Sequence, residues 1–274
     1  MSHPTPETLH ITRESGVMRV VIDNPPVNVL SLALMAELRT LLAGLPEDAD
    51  TRVVVFESAD PEFFLAHVDF TLVDDPAAGD PTAGAPAGLN VFQALGEALR
   101  ALPQVSIVKL TGLARGGGAE FVAAADLSFA AIGRAGLGQI EALGGIVPGG
   151  GGTQYLRDRV SRSRALEIVL GADLFDAETA ERYGWVNRAV PAGEIDAFVD
   201  RIARNIANLP EGTIAAAKSA LPPADLSAGM LLEHAAWASQ FVKPAAEKLI
   251  RGGLAAGVQT REGERRLEDL MRAL

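Results

Sequence analysis

Two segments of this chain carry enough glycine to suggest a site of chemistry, residues 112–120 and 144–154. The first follows an apolar, β-rich run, Val105–Leu110, and leads into a strong helix former, Ala119–Ala125. A helix that starts at these glycines presents N–H groups and the positive end of its dipole, which suits a developing oxyanion. Glu120 falls in the first helical turn, where the same dipole favours the ionised carboxylate and therefore a general base.

Two common glycine motifs do not fit these segments. A phosphate-binding P-loop needs lysine directly before Ser or Thr, but Gly152 precedes Thr153. A dinucleotide fingerprint needs a third glycine where the sequence has Phe121. The remaining alternative is structural: the glycines only make tight turns between packed elements, and Glu120 serves the helix dipole alone.

Four blocks, in the same order along the chain, resemble the motifs of the enoyl-CoA hydratase/isomerase, or crotonase, family. They are residues 23–30, 63–70 and 112–120, followed by a second-glutamate block made of 138–141 with 147–154. Any one block alone is a weak signal, whereas four in order are a specific one. The resemblance extends over most of the chain.

The resemblance implies an oxyanion hole made by the backbone N–H groups of Val68 and Gly117, with Glu120 acting on water. It also assigns Glu141 to the second catalytic position, where the alternative is a surface or salt-bridged carboxylate. Relatives with both glutamates typically hydrate a 2-enoyl-CoA. That reaction needs a base near the β-carbon, a proton donor near the α-carbon and two N–H groups at the enolate oxygen. Two carboxylates around one water are expected to titrate as a coupled pair.

The family match also implies a lining for the coenzyme A or thioester pocket, made of Val27, Ala66, His67, Asp69, Leu113, Gly116, Pro148 and Gly149. His67 departs from the family pattern, which has glycine there. A side chain at a turn that needs positive φ would cost about 1 kcal/mol and tilt the Val68 N–H. His67 is therefore either a polar group near the thioester or a tolerated loop residue.

Two further segments bear on the substrate. Residues 73–88 have too little bulky apolar surface to order themselves, which predicts a mobile surface loop. The resemblance implies that this loop covers the acyl chain. The arginines of residues 260–266 match the family's closing helix, where basic residues can meet coenzyme A phosphates. The usual basic ending is absent, so a solvated charged face is the favoured interpretation of those arginines.

The composition disfavours several other classes of function. Asp and Glu total 35 against 24 Lys and Arg, and the net charge of −11 disfavours nucleic acid. There is no cysteine, and the four histidines lack metal-site spacing, so we expect no metal and no cofactor beyond the coenzyme A of the substrate. A signal-like start and a run of about 20 apolar residues are both missing, which predicts a cytoplasmic protein without a membrane partner.

Hydrophobic periodicity predicts the elements that position these residues. Residues 9–22 form a hairpin around Gly16, and a helix follows over 31–45. Between about residues 50 and 140, short apolar strands alternate with helices, as in a sheet with helical crossovers. From residue 161 onward the pattern is nearly all helical and includes one long apolar helix over Leu226–Leu254.

The resemblance gives the fold class: α/β, as a crotonase-like spiral of strand–strand–helix units. It divides the chain into an α/β core, residues 1–207, and a C-terminal helical region, residues 208–274, that packs between subunits of a trimer or a dimer of trimers. Two alternatives to hydration stay open. One is another acyl-CoA reaction in the same oxyanion hole, namely isomerisation, thioester hydrolysis or decarboxylation; the other is a non-catalytic module that kept the fold.

Overall fold

The computed structural model describes residues 7–74 and 85–274, so most of the predicted loop over 73–88 lies outside the described residues. The strands are β1 Leu9–Glu14, β2 Val17–Ile22, β3 Val53–Ser58, β4 Phe63–Leu65, β5 Val105–Leu110, β6 Leu113–Arg115, β7 Leu127–Ile132, β8 Gly136–Gly138, β9 Phe175–Asp176 and β10 Arg188–Pro191. The helices are α1 Leu32–Gly44, α2 Val91–Arg100, α3 Gly117–Ala124, α4 Gly152–Arg159, α5 Arg162–Gly171, α6 Ala177–Tyr183, α7 Ile195–Ala207, α8 Thr213–Ala220, α9 Ser227–Phe241, α10 Pro244–Ala255, α11 Arg261–Glu264 and α12 Leu267–Arg272.

The larger sheet has the strand order β1-β2-β3-β5-β7-β10. Its first two strands form the predicted antiparallel hairpin, and Gly16 at the turn has a φ of +79°. The other neighbours are parallel. The apolar run Val53–Phe56 in β3 has no exposed surface, as expected of a strand covered on both faces.

The smaller sheet has the order β4-β6-β8-β9, and its first three strands are parallel. Three successive units each give one strand to the larger sheet, the next strand to the smaller sheet and then a helix: β3-β4-α2, β5-β6-α3 and β7-β8-α4. This repeat is the predicted spiral. Because the carboxyl ends of parallel strands meet at one edge, the residues that follow β4, β6 and β8 come together there.

The predicted start of helix α1 is confirmed, and α2 begins at a similar cap that the sequence analysis did not identify. Helix α1 begins after Ser31, whose side chain accepts a hydrogen bond from the Leu34 N–H at 3.2 Å. Helix α2 begins after Asn90, which forms a capping box with Gln93. Side-chain acceptors at these positions satisfy N–H groups that have no partner within the helix, and this fixes where each helix starts.

Two expectations for the C-terminal half are wrong. Strands β9 and β10 interrupt the part expected to be almost wholly helical, and β10 pairs with β7 to complete the larger sheet. The single helix expected over 226–254 is two helices, because Pro244 occupies the first turn of α10. Proline lacks the N–H that would continue the α9 hydrogen-bond ladder, and its ring clashes with the preceding turn.

The C-terminal helices cover the edge where β4, β6 and β8 end. Val258, Leu267 and Met271 form a buried apolar cluster with Ile140, which follows β8. Helix α9 packs against α4, and α10 packs against the 3₁₀ turn Glu141–Gly144. The separation of residues 208–274 as a unit of its own stays a prediction.

Candidate active site

A cavity lies at the edge where β4, β6 and β8 end. Among its lining residues are eight that were predicted from the sequence, His67, Val68, Asp69, Gly116, Gly117, Glu120, Glu141 and Gly149. Apolar side chains line the rest, and they include Phe92, Trp237, Phe241 and Ile250. The cavity therefore has a polar end at the strand ends and an apolar end between α2, α9 and α10.

Four predicted site residues are not part of this lining. Val27, Ala66 and Leu113 belong to a separate apolar cluster with Phe63, in which Val27 and Ala66 are fully buried. Pro148 is buried beside Gly152. The lining of the described cavity therefore differs at these four positions from the one that the sequence motifs indicated.

Val68 is held by a short parallel bridge to Leu30. The Leu30 N–H donates to the His67 carbonyl at 2.8 Å, and the Asp69 N–H donates to the Leu30 carbonyl at 3.2 Å. These bonds involve the carbonyl of the residue before Val68 and the N–H of the residue after it. In a parallel ladder the N–H of Val68 itself therefore points away from Leu30. Within the described residues this N–H has no hydrogen-bond acceptor, which leaves it available to a bound oxygen.

Gly117 starts helix α3 directly behind this loop. The Gly116 N–H donates to the Gly138 carbonyl at 2.8 Å, which ties the turn to β8. A Cβ on Gly117 would stand 2.7 Å from Val68 Cγ2, so only glycine fits this close approach. In the part of the chain that the structure describes, the Gly117 N–H also lacks an acceptor, as expected at a helix start.

Glu120 lies one helical turn further on and is 5% exposed. Its Oε1 accepts hydrogen bonds from the Gly150 and Gly152 N–H groups at 2.9 and 3.0 Å. Burial raises the pKa of Glu120 to about 8, and the charge of Glu233 adds to the rise, while the two N–H groups oppose it. The helix dipole was expected to favour the ionised carboxylate, but the cost of removing that charge from water is larger, so the net effect is a raised pKa.

Glu141 opens the 3₁₀ turn that follows β8. Its Oε1 lies 3.0 Å from the point where a Cβ on Gly116 would stand, while Glu120 Oε2 lies 3.7 Å from the corresponding point on Gly117. The two carboxylates therefore face neighbouring glycines of one turn. Burial raises the pKa of Glu141 well above its ordinary value, and the charge of Glu120 raises it further.

Gln139 supports Glu141 from within the protein. It is fully buried, and with its amide group oriented to donate, its nitrogen lies 3.1 and 2.9 Å from the two Glu141 oxygens. A donor to the carboxylate partly offsets the cost of burying its charge.

The sequence profile of the enoyl-CoA hydratase/isomerase family matches residues 12–263. The chain belongs to this family. A solved protein of Streptomyces avermitilis, provisionally named an enoyl-CoA hydratase, is 62% identical in sequence and superposes with a TM-score of 0.96 over 98% of each chain. The crotonase fold expected from the motifs is thereby confirmed.

Curated relatives are more distant. The chain is 29% identical to a Mycobacterium tuberculosis protein, also provisionally named an enoyl-CoA hydratase, over 86% of this chain and 91% of that protein. It is 31% identical to the carnitinyl-CoA dehydratase of Escherichia coli K12, over 77% of this chain and 79% of that enzyme. These names cover both water addition and water removal, so they fix the family but not the reaction of this chain.

Two absences hold for residues 7–74 and 85–274. No helix there is long and apolar enough to cross a membrane. Nor do three or more His, Asp or Glu side chains gather there in a group that could hold a metal ion.

His67 occupies a position where the family usually has glycine, yet the expected backbone strain is absent, because its φ is not in the positive region. Its ring is buried, with Nδ1 2.7 Å from the Val68 carbonyl and Nε2 3.0 Å from Glu264 Oε1. Both partners are acceptors, so an imidazolium can donate to each of them. His67 thus lines the cavity of this family member while its nitrogens are engaged elsewhere.

Two of the three arginines in residues 260–266 already have acidic partners. Arg261 forms an ion pair with Asp60, and Arg265 lies 2.9 Å from Glu62. Both side chains are partly exposed. These contacts agree with the favoured interpretation of a solvated charged face.

The sequence-based reasoning missed three residues on α9. Glu233 is buried behind Glu120, while Trp237 and Phe241 line the cavity with rings stacked at 4.7 Å. The three residues are spaced four apart, so they share one face of the helix. That spacing is the one sequence signal that could have identified them.

Proposed function

We propose that this enzyme adds water across the 2,3 double bond of a 2-enoyl-CoA thioester. Glu120 and Glu141 are the acid/base carboxylates, and the N–H groups of Val68 and Gly117 bind the thioester oxygen. Coenzyme A is part of the substrate, and no further cofactor takes part. The observation that carries the proposal is that two carboxylates, the buried Glu120 and the partly buried Glu141, face adjacent glycines of the turn that also offers the Gly117 N–H.

The reaction follows from this arrangement. Water attacks the β-carbon while one carboxylate takes its proton, and the double-bond electrons move through the α-carbon onto the thioester oxygen. The two N–H groups stabilise the resulting enolate oxygen. A carboxylic acid then gives its proton to the α-carbon, and the product is the 3-hydroxyacyl thioester.

The surroundings of the carboxylates support different roles for them. Burial raises the pKa of Glu120, but two backbone N–H bonds oppose the rise and so help Glu120 to release its proton, which suits the base that acts on water. Burial and the neighbouring charge of Glu120 raise the pKa of Glu141, which favours its protonated form and suits the donor to the α-carbon. General acid/base help of this kind is worth about 10²–10⁴-fold in rate.

The test is the mass and oxygen content of the product formed from crotonyl-CoA in water labelled with heavy oxygen. Hydration predicts a product heavier by one water that carries the label at the β-carbon, with loss of the conjugated thioester absorbance. An isomerase would leave the mass unchanged, a thioester hydrolase would release free coenzyme A, and a decarboxylase would release carbon dioxide from a carboxylated substrate. A substrate panel that yields only one of these other products would contradict the proposal.

The proposal extends to a homotrimer or a dimer of trimers. Leu232 on α9 is 73% exposed and Val242 just beyond it is 79% exposed, and neighbouring Leu231 is also exposed. Side chains of this size on one helix and its end favour a protein interface. Sedimentation equilibrium tests the assembly, and a stable monomer at micromolar concentration would contradict it.

A further inference from the structure

The chain segment Gly150–Thr153 donates its successive N–H groups to two different carboxylates. Gly150 and Gly152 donate to Glu120, at 2.9 and 3.0 Å. Gly151 and Thr153, the residues that alternate with them, donate to Glu233 at 2.6 and 2.8 Å. This strip of backbone, which leads through Gly151 into the first turn of α4, is therefore held between two acids.

Glu233 uses both of its oxygens in this contact. Oε1 accepts from Gly151 and, at 3.2 Å, from the Gln93 side chain, while Oε2 accepts from the Thr153 N–H and hydroxyl, the latter at 2.5 Å. The residue is 4% exposed and is not part of the cavity lining. Glu233 therefore accepts hydrogen bonds from the same backbone segment that donates to Glu120, but it does not reach the cavity where a substrate would bind.

Glu120 accepts differently. Its Oε1 receives both of its N–H bonds, and its Oε2 faces Gly117. A glutamine at position 120 could keep both bonds on its carbonyl oxygen, whereas a glutamine at position 233 would turn an NH₂ group toward donors. The two positions thus respond differently to the same substitution.

Charge links the two acids as well as the backbone. The carboxylate of Glu233 is the second cause, after burial, of the raised pKa of Glu120. Burial also raises the pKa of Glu233, against the hydrogen bonds from Thr153, Gln93 and Gly151. The other ionisable groups around the pair are Glu141 after β8, Tyr155 on α4, Glu97 and Arg100 on α2, and His234 on α9.

We infer that Glu233 is a positioning residue for Glu120. It fixes Gly151 and Thr153 so that the two alternating N–H groups aim at Glu120, and its charge sets how readily Glu120 takes a proton. The inference rests on the proposed role of Glu120 as the base of hydration. It adds a third carboxylate, on the C-terminal helix α9, to the machinery of the site.

The test combines turnover with a titration that needs no substrate. Infrared difference spectra between the wild type and Glu120→Gln identify the carboxyl band of Glu120, and its intensity is followed against pH in Glu233→Gln. We expect the midpoint of Glu120 to move down by roughly one pH unit, because a like charge has been removed. We expect kcat to fall roughly tenfold to a hundredfold, part of the ~10²–10⁴ that acid/base help provides, with KM changed less than about threefold since Glu233 does not line the cavity.

Two further variants separate charge from reach and guard against misfolding. Glu233→Asp keeps the charge but is too short to reach both N–H groups, so we expect the Glu120 midpoint to stay near that of the wild type while kcat falls. Glu97→Gln breaks a nearby contact with Tyr155 and Arg100 but touches no N–H group of the strip, and should change neither readout. Circular dichroism confirms that each variant is folded.

The two proposals fail in different ways. An enzyme without hydratase activity whose Glu120 midpoint still moves in Glu233→Gln would contradict hydration and support the link between the acids. A folded Glu233→Gln protein with the midpoint and kcat of the wild type would overturn the inference. Glu233→Asp with the kcat of the wild type would overturn the positioning role.

Discussion

The Nε2 atom of His67 lies 3.0 Å from Oε1 of Glu264, in a contact that joins the loop that carries Val68 to helix α11. Glu264 Oε2 lies 3.6 Å from Arg115 Nη1, and Arg115 donates to both oxygens of Glu268 at 2.6 and 2.9 Å. His67, Arg115 and Glu264 have almost no exposed surface. The C-terminal helices thus hold the loop that carries the Val68 N–H through a buried network of charges.

Replacing His67 with glycine, the usual family residue, should weaken this protein. Glu264 would stay buried and lose its contact with His67, and the Gln259 N–H at 2.8 Å and Arg115 at 3.6 Å would remain beside it. We expect the free energy of unfolding to fall by about 2 kcal/mol or more and kcat to fall as the Val68 N–H loses its orientation. Chemical denaturation and turnover of 2-enoyl-CoA measure the two effects.

His67→Gln is the matched variant for this change. Its amide nitrogen can still donate to Glu264, so it should retain more stability than His67→Gly. Equal stabilities of the wild type and His67→Gly would show that the contact with Glu264 does not hold the loop.

Stability should fall as pH rises through the range in which the buried acids titrate. Burial raises the pKa values of Glu120, Glu141 and Glu233 above their ordinary value of 4.5, and that of Glu120 reaches about 8. Between these values the folded protein binds protons that the unfolded chain has released, so the free energy of unfolding decreases with pH. Below pH 4.5 both states are protonated at these positions, and the full stability is present.

Glu120→Gln should therefore be more stable than the wild type at pH 8, by roughly 2–4 kcal/mol given about 1.4 kcal/mol per pKa unit and partial solvent relaxation. Its Oε1 keeps the N–H bonds of Gly150 and Gly152, so little contact is lost. Urea denaturation over a pH range of about 5 to 9 measures the dependence, with Glu247→Gln on the exposed face of α10 as the control. If the free energy of unfolding of Glu120→Gln fell with pH as steeply as that of the wild type, this account of Glu120 would be contradicted.

The sequence predicts the parts of this fold whose signal is local. The apolar run Val53–Phe56 and the cap at Ser31 each mark an element by themselves. Strand β10, with only four residues between Arg188 and Pro191, carries too little period-two alternation to be recognised and depends on pairing with β7. Pro244 is plain in the sequence, but the apolar pattern on both sides of it favours one continuous helix.

The residues of the site likewise fall into those that a local sequence motif marks and those that it does not. Glu120 and Glu141 stand in glycine-rich motifs, so the sequence alone marks them as candidates. Glu233 stands in an ordinary helix, and its partners Gly151 and Thr153 are 82 and 80 positions away. The spacing of Glu233, Trp237 and Phe241 could mark one face of a helix, but the contacts of Glu233 with such distant backbone groups become apparent only once the chain is folded.

Gly117→Ala should close the oxyanion hole. The new Cβ would stand 2.7 Å from Val68 Cγ2 and 3.1 Å from Leu30 Cδ1, so these two side chains must shift, and we expect the Val68 loop to be displaced with them. Loss of one oxyanion donor costs about 10²–10³-fold in kcat. Steady-state kinetics measure the loss, and Gly44→Ala at the end of α1, with no atom within 4 Å of its new Cβ, is the control that should keep full activity. A Gly117→Ala enzyme within about threefold of the wild-type kcat would argue against an oxyanion hole between these two residues.

Trp237→Ala should change which acyl chains the enzyme accepts. The indole packs over Gly149 and stacks on Phe241 at the apolar end of the cavity, so its removal lengthens the space available to an acyl group. Each methylene that gains or loses an apolar contact changes transition-state binding by about 1–3 kcal/mol. We expect kcat/KM to fall roughly tenfold for a four-carbon enoyl thioester and to fall less, or rise, for a longer one.

A series of 2-enoyl-CoA thioesters of increasing length measures this shift in preference. Phe198→Ala is the matched control, because this ring packs on Phe129 and does not line the cavity. It should lower stability and leave the order of chain-length preference unchanged. Since Trp237 lies one helical turn beyond Glu233, a uniform loss of kcat at every length would instead indicate that the indole acts through Glu233 and the Gly150–Thr153 strip, and would place the acyl chain elsewhere in the cavity.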